Sequence, residues 1–224
     1  TLQSLNTKHA EEYDSVKIAV ARDEAFCFYY EENMQTLRDL GAEIVYFSPI
    51  HDKELPKGVQ GLILGGGYPE NYGKELEKNK SMRTCIRLSV EQGMPSLAEC
   101  GGFMYLHNSI KTSEGKTYEM CGAVDAECFY TGKLVRFGYI SIYDKIPIML
   151  NEGDCIKGHE FHYFDSTHNG NNCTAVKPKG GRNWDWAIEK QGSFWGFPHL
   201  YYPSNTEFAE NFLKAARNAE PFRS

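Results

Sequence analysis

Short apolar runs alternate with amphipathic stretches over the first half of the chain, and this alternation constrains the fold more than any other feature. The apolar runs have the length of buried strands, and the stretches between them have helical spacing. Strands that alternate with helices form a parallel sheet covered on both faces, with ligands outside the carboxyl ends of the strands. The predicted strands are residues 17–21, 43–47, 59–64 and 95–98, and the predicted helices are 31–40, closed by Gly41, and 81–92.

Beyond residue 108 the pattern changes to strand-like runs separated by Gly, Asn, Pro and Lys. We predict strands over 122–130, 134–143, 159–166, 173–176 and 193–197, and a closing helix over 205–218. The predicted fold class is α/β, a three-layer sandwich with a mostly parallel central sheet and a β-rich second half. We expect one domain over residues 16–224, preceded by a polar, linker-like segment at 1–15.

Composition argues against several classes of function. The formal net charge is −6 and no cluster of lysine or arginine stands out, so neither nucleic acid nor a membrane surface is an expected partner. No apolar run approaches the length of a membrane span, and we expect a cytoplasmic protein. The seven cysteines are odd in number and lack Cys-x-x-Cys spacing, which argues against a disulfide framework and a metal site.

Cys100 is the leading candidate for a catalytic residue. It follows the last predicted strand of the first half and precedes a helix-like pattern, with Ala98, Gly101 and Gly102 as small neighbours. A nucleophile at a sharp strand-to-helix turn needs such neighbours, because larger side chains there would collide with the flanking elements. The helix N-terminus is expected to lower the pKa of the thiol. The alternative is a buried core cysteine.

A thiol nucleophile needs a base, and His199 is the best placed of the seven histidines because a predicted strand ends just before it. A second candidate feature is the glycine run at residues 65–67, which follows a strand and could bind an oxyanion through its backbone amides. A phosphate loop is the competing interpretation. It is disfavoured because the lysine and hydroxyl residue of a nucleotide-binding loop do not follow these glycines.

Four stretches together carry a resemblance to a known family. They are VARDEAFCFYY at 20–30, GGYPE at 66–70, AECGG at 98–102 and GHEFHY at 158–163. The chain resembles the class I glutamine amidotransferases, and specifically the C-terminal glutaminase domains of the cobyrinic acid a,c-diamide synthases. The resemblance runs from about residue 16 to the last helix.

This resemblance implies roles for individual residues. Cys100 would attack the carboxamide of glutamine, His199 would shuttle the proton, and amides of Gly66 or Gly67 and of Gly101 would form the oxyanion hole. Residues implied near the substrate or a domain interface, with ordinary core as the alternative, are Glu99, Phe26, Tyr29, Tyr30, His159, Glu160 and His162. The wider class carries a glutamate two residues after the histidine, where this chain has Tyr201, so the sequence leaves the orientation of His199 unexplained.

The resemblance also implies partners. Ammonia from glutamine would amidate carboxylates of a corrinoid substrate, and an N-terminal synthetase domain that uses ATP and Mg²⁺ would activate them. We expect no cofactor in the present domain, and that synthetase half is not in this sequence. Open alternatives are a different tetrapyrrole substrate, a homodimer, a non-catalytic module that binds a corrinoid or a partner, and a thiol hydrolase of a related fold.

Overall fold

The computed structural model describes residues 15–190 and 192–223, so the predicted linker lies, apart from Ser15, outside the described residues. The strands in chain order are β1 (Val16–Ala21), β2 (Phe26–Phe28), β3 (Ala42–Phe47), β4 (Gly61–Leu64), β5 (Gly66–Gly67), β6 (Ser96–Glu99), β7 (His107–Lys111), β8 (Thr117–Glu119), β9 (Val124–Tyr130), β10 (Arg136–Asp144), β11 (Ile156–His162), β12 (Phe164–Ser166), β13 (Cys173–Val176), β14 (Asn183–Trp186), β15 (Ile188–Lys190), β16 (Ser193–Gly196) and β17 (His199–Tyr201). The α-helices are α1 (Glu31–Asp39), α2 (Gly73–Lys78), α3 (Lys80–Glu91), α4 (Gly101–Leu106) and α5 (Thr206–Arg217), and short 3₁₀ turns cover Pro69–Tyr72 and Tyr202–Ser204.

The central sheet has the strand order β15-β16-β6-β4-β1-β3. Every pairing in it is parallel except the edge pair β15 and β16, which is antiparallel. All four residues of β4 and of β6 are buried, as expected for strands covered on both faces. On one side, α1 and α5 contact each other and pack on β3 and β1 respectively. The α/β class and the mostly parallel sheet are therefore confirmed.

The predicted elements of the first half agree with the structure to within about two residues at each end, which is the usual uncertainty of element boundaries. Gly41, predicted to close the first helix, has φ of 89°, a backbone conformation that glycine adopts easily. Sequence reasoning missed α2, in which only Gly73 and Leu76 are buried, because a short charged segment has little apolar pattern. It also missed the short strands β2, β5, β7, β8, β14, β15 and β17, and the single strand predicted over 159–166 is two strands, β11 and β12.

The β-rich second half forms two further sheets, with strand orders β14-β13-β10-β11-β17 and β12-β9-β7-β8. The chain leaves the central sheet at the end of β16 and enters the five-stranded sheet as β17, which begins at His199. The sequence analysis placed the end of a strand just before His199 but did not predict β17. In β17, His199 pairs directly opposite His159 of the antiparallel strand β11.

None of the described helices is long and apolar enough to cross a membrane.

Candidate active site

The bend between β6 and α4 holds Cys100 in an unusual backbone conformation, with φ of 49° and ψ of −106°. Positive φ is uncommon outside glycine and costs free energy, so it persists only where surrounding structure enforces it. The Cys100 amide donates a hydrogen bond to the Gly196 carbonyl (2.9 Å), and the Gly102 amide donates to the Gly65 carbonyl (2.9 Å). A Cβ on Gly102 would lie 2.0 Å from the carbonyl oxygen of Leu64, which explains the small residue after the bend.

A cavity of about 410 Å³ opens above this bend. Cys100 and His199, the two predicted catalytic residues, both line it, and so the fold brings together side chains 99 positions apart in the sequence (199 − 100). The remaining lining residues are Phe28, Gly67, Tyr68, Glu70, Met104, Tyr130, His159, Phe161, His162, Tyr163 and Phe164.

Both predicted catalytic groups are neutral at rest. Burial raises the pKa of the Cys100 thiol to about 12, and the nearby Glu70 carboxylate adds to that shift. Burial lowers the pKa of His199 to about 3, with further lowering by His159 and His162. The expected lowering of the thiol pKa is therefore wrong for the protein at rest. The Gly101 amide does act in the expected direction, but desolvation of the thiolate is the larger effect.

Aromatic rings hold the imidazole of His199 where the wider class would use a carboxylate. The ring stacks on His159 with centroids 5.0 Å apart and an interplanar angle of 22°, and Phe28 contacts it edge-on at 4.7 Å. Nδ1 of His159 is 2.8 Å from the Tyr30 hydroxyl, which fixes the stacking partner in turn. A Cβ on Gly66 would lie 2.4 Å from Cε1 of His199, so only glycine leaves room for the ring.

Glu99 is next to the nucleophile in sequence but positions the strand of the histidine. Its buried carboxylate accepts hydrogen bonds from the Leu200 amide (3.3 Å) and the Tyr202 hydroxyl (3.0 Å). Asn33 adds two further bonds to the same segment, to the Leu200 carbonyl and from the Tyr202 amide, both 2.8 Å. Burial raises the pKa of Glu99 to about 8. Glu99 does not line the cavity, so its predicted place near the substrate is corrected to a positioning role.

The predicted oxyanion-hole glycines lie together beside Cys100. Gly66 and Gly67 form β5, which pairs with β2, and Gly67 has φ of 156°. A Cβ on Gly101 would lie 3.1 Å from the amide nitrogen of Gly67, so these two glycines are in close backbone contact. A Cβ on Gly67 would lie 2.0 Å from the Ala25 carbonyl oxygen. Positions 67 and 101 therefore favour glycine. That the backbone amides of these glycines donate hydrogen bonds to an oxyanion stays a prediction.

The aromatic stretch at residues 26–30 divides between core and cavity. Phe26 is fully buried, with its ring centroid 5.3 Å from that of Tyr105, and its predicted place at a substrate or interface is wrong. Tyr29 does not line the cavity: its hydroxyl donates to the Ala21 carbonyl and accepts from the Gly65 amide (3.1 Å). Its predicted place near the substrate is also corrected, because it braces the glycine run. Tyr30 does not line the cavity, but it contacts two residues that do, His159 and Phe28.

The GHEFHY stretch comprises the last five residues of β11 and Tyr163 after them, and the side chains of β11 alternate between interior and exterior. Glu160 is fully buried and lies 3.4 Å from Nε2 of His162 and 3.9 Å from Nε of Arg136. His162 lines the cavity, and its Nδ1 is 2.7 Å from the Phe164 carbonyl oxygen. Glu160 is thus a buried partner of His162, not the surface residue that an interface would need.

Sequence reasoning assigned no individual role to Glu70 or Asn33, and it included Phe28 only as part of the aromatic stretch at residues 26–30. Glu70 and Phe28 stand inside stretches that carried the family resemblance, but the irregular register of β2 against β5 puts the exposed Phe28 in a different environment from the buried Phe26, which strand alternation does not predict. Asn33 gave no signal, because a buried asparagine on a helix is recognised only once its backbone partners are known.

One cluster of possible metal ligands occurs in the part of the chain that the structure describes. One oxygen or sulfur ligand atom from each of Asp144, Cys173 and Glu189 lies within 4.8 Å of the others, away from the cavity. Asp144 Oδ2 already accepts hydrogen bonds from three loop amides. Burial raises the pKa of Glu189 to about 8, so at neutral pH a proton on Glu189 reduces the negative charge of the cluster. The absence of a metal site remains a prediction.

Comparison of this sequence with known protein families identifies the family of the chain. The family model of the CobB/CobQ-like glutamine amidotransferase domain matches residues 17–197. The chain belongs to that family. It is a glutamine amidotransferase domain, and the match covers the glycine run and the Cys100 bend but stops two residues before His199 (199 − 197).

Curated relatives of this amidotransferase domain are named cobyrinate a,c-diamide synthase. One from Caldanaerobacter subterraneus is 41% identical over 201 residues, which cover 88% of this chain and 44% of that protein. Another, from Fusobacterium nucleatum, is 42% identical over 201 residues, which cover 86% of this chain and 43% of that protein. The chain thus spans somewhat less than half the length of these curated relatives.

Solved structures agree on the fold of this amidotransferase domain. A structure of PurLQS from Thermotoga maritima superposes with a TM-score of 0.60 at 15% identity, covering 91% of this chain and 98% of that one. A structure described as a glutamine amidotransferase gives a TM-score of 0.58 at 19% identity, covering 89% of this chain and 98% of that one. At these identities the comparison shows the fold alone.

Proposed function

We propose that this domain hydrolyses glutamine with Cys100 as nucleophile and His199 as the group that accepts and returns the proton. The Cys100 sulfur would attack the carboxamide carbon while the imidazole takes the thiol proton. The carbon–nitrogen bond then breaks, ammonia leaves with that proton, and a thioester remains. Water hydrolyses the thioester to glutamate and regenerates the thiol. The observation that carries the proposal is that both side chains line one cavity beside a glycine loop.

In the neutral resting state, the thiol and the imidazole have the protonation states that this transfer requires. A neutral imidazole can accept a proton, and a neutral thiol can give one as the sulfur–carbon bond forms. Nδ1 of His199 is buried without a hydrogen-bond partner among the described residues, so the stacked rings, not a carboxylate, hold the imidazole. Negative charge that develops on the substrate oxygen would be received by amides of Gly66 or Gly67 and of Gly101, where loss of one donor costs about 10²–10³ in rate.

We further propose that the domain comprises residues 16–224 and supplies ammonia to a synthetase half that amidates corrinoid carboxylates. The curated relatives named cobyrinate a,c-diamide synthase extend over about twice the length of this chain, which leaves room for such a half. That half would bind ATP and Mg²⁺ and activate the carboxylate, and ammonia from the cavity would displace the activating group.

The decisive experiment compares the purified wild-type domain with Cys100→Ala and Cys27→Ala. Cys27 is exposed and outside the cavity, and serves as the matched control. We expect wild type and Cys27→Ala to form glutamate from glutamine and to be labelled once, at position 100, by a diazoketone analogue of glutamine. Cys100→Ala should do neither. Glutamate formation that survives in Cys100→Ala would overturn the proposal.

His199 is tested separately, because it lies outside the matched family region. In His199→Asn, the asparagine side chain is polar and similar in size to histidine, but it cannot accept the proton. We expect it to slow labelling of Cys100 by the diazoketone by about 10²–10⁴, the usual contribution of a general base. Labelling at the wild-type rate would remove His199 from the mechanism.

A further inference from the structure

We infer that Glu70 is the residue by which the cavity recognises the α-ammonium group of glutamine. This inference rests on the proposed glutaminase function and deepens it, because it names the group that distinguishes glutamine from a simple carboxamide. Nothing in the sequence pattern assigned Glu70 a role.

The position of Glu70 follows from the turn that carries it. Glu70 is the second residue of the 3₁₀ turn Pro69–Tyr72, directly after the glycine loop. Pro69 packs against the start of α4, since a Cβ on Gly101 would lie 2.8 Å from Cδ of Pro69. The turn is therefore fixed to the same backbone that holds Cys100, and Glu70 lines the cavity with it.

The carboxylate of Glu70 is incompletely satisfied. It interacts with the Glu70 backbone amide, while Oε2 is buried and has no hydrogen-bond partner among the described residues. A buried unpaired acceptor is costly, and a ligand that donates to the carboxylate recovers that cost. Burial raises the pKa of Glu70 to about 7, so a cationic ligand would hold the carboxyl ionised.

The charges of the cavity select the ligand group. Among the described residues that line it, Glu70 is the only carboxylate, and no lysine or arginine is present. Glutamine at neutral pH carries an α-ammonium group three carbons from its carboxamide carbon. Charge-assisted hydrogen bonds between an ammonium and a carboxylate are about twice as strong as neutral ones. Glu70 is thus the one lining residue that can pair with that cation.

The test measures a ratio that a merely structural role would not change. Labelling of Cys100 is followed by intact mass with 6-diazo-5-oxonorleucine and with 6-diazo-5-oxohexanoate, which is the same molecule without the α-ammonium group. We expect wild type to react about tenfold or more faster with the first at low concentration. Glu70→Gln should lose most of that preference, chiefly by slowing the first reagent, and Glu70→Asp should retain part of it.

Glu75→Gln is the matched control, because Glu75 is an exposed glutamate in the next helix, and it should behave like wild type. If Glu70→Gln slows both reagents equally, or leaves the wild-type preference intact, the inference is wrong while the role of Cys100 stands. The first of these results would instead place Glu70 in control of the thiol. If neither reagent labels the wild-type domain and no glutamate forms, the proposed glutaminase function fails, and this inference fails with it.

Discussion

The backbone strain at Cys100 makes a measurable prediction about stability. Cys100→Ala and Cys100→Gly both remove the sulfur, but only the alanine keeps a Cβ on a backbone with φ of 49° and ψ of −106°. A residue held in such a region costs about 1–3 kcal/mol. Glycine relieves that strain but loses about 0.5–1 kcal/mol through the greater freedom of the unfolded chain. We expect Cys100→Gly to be more stable than Cys100→Ala by up to about 2 kcal/mol.

The assay is thermal or urea unfolding of the two variants under identical conditions. For a domain of about 200 residues, 1 kcal/mol corresponds to about 2–4 °C in Tm, so a difference of about 2 kcal/mol would raise the Tm of Cys100→Gly over that of Cys100→Ala by about 4–8 °C. Ala98→Gly is the control, since Ala98 is fully buried in β6, where a lost methyl group should destabilise the fold.

A Cys100→Gly variant that is no more stable than Cys100→Ala would refute this prediction. That result would mean that the flanking strand and helix accommodate the bend without cost. If Cys100→Gly is the more stable variant, the backbone conformation that exposes the thiol to the cavity lowers the stability of the domain. The bend is then one of the strained functional sites that evolution retains.

Three further outcomes are expected. Gly66→Ala should abolish glutamine hydrolysis with little loss of secondary structure by circular dichroism, because the new methyl group displaces the His199 ring; full activity would contradict this. Iodoacetamide should modify Cys100 of the unliganded domain more slowly than Cys27 at pH 8, because burial raises the pKa of the Cys100 thiol to about 12. Peptide mapping measures the two rates. Faster modification of Cys100 than of Cys27 would show that the Cys100 thiol is ionised. Burial raises the pKa of Glu189 from 4.5 to about 8. The folded state therefore keeps a proton that the unfolded state loses, and stability falls between pH 4.5 and 8, by at most about 5 kcal/mol from a shift of this size. Glu189→Gln should flatten that part of the urea-unfolding profile, and an unchanged profile would show that Glu189 is ionised throughout.

Local patterns in the sequence determined the architecture of the first half and the position of the nucleophile. The alternation of buried strands with amphipathic helices depends on side-chain period alone, so β1, β3, β4, α1 and α3 were predicted nearly to their ends. The bend at Cys100 was also predicted from the sequence, because close backbone contact there excludes all but the smallest neighbouring residues.

Only the tertiary structure decided what surrounds those reacting groups. The stacking of His159 on His199 follows from the pairing of β11 with β17, two strands far apart in sequence. The role of Glu99 depends on two partners about a hundred residues away, Leu200 and Tyr202. These contacts, and the pKa of Cys100, depend on burial and on strand register. Both are set when the sheets pack together, so a local stretch of sequence does not predict them.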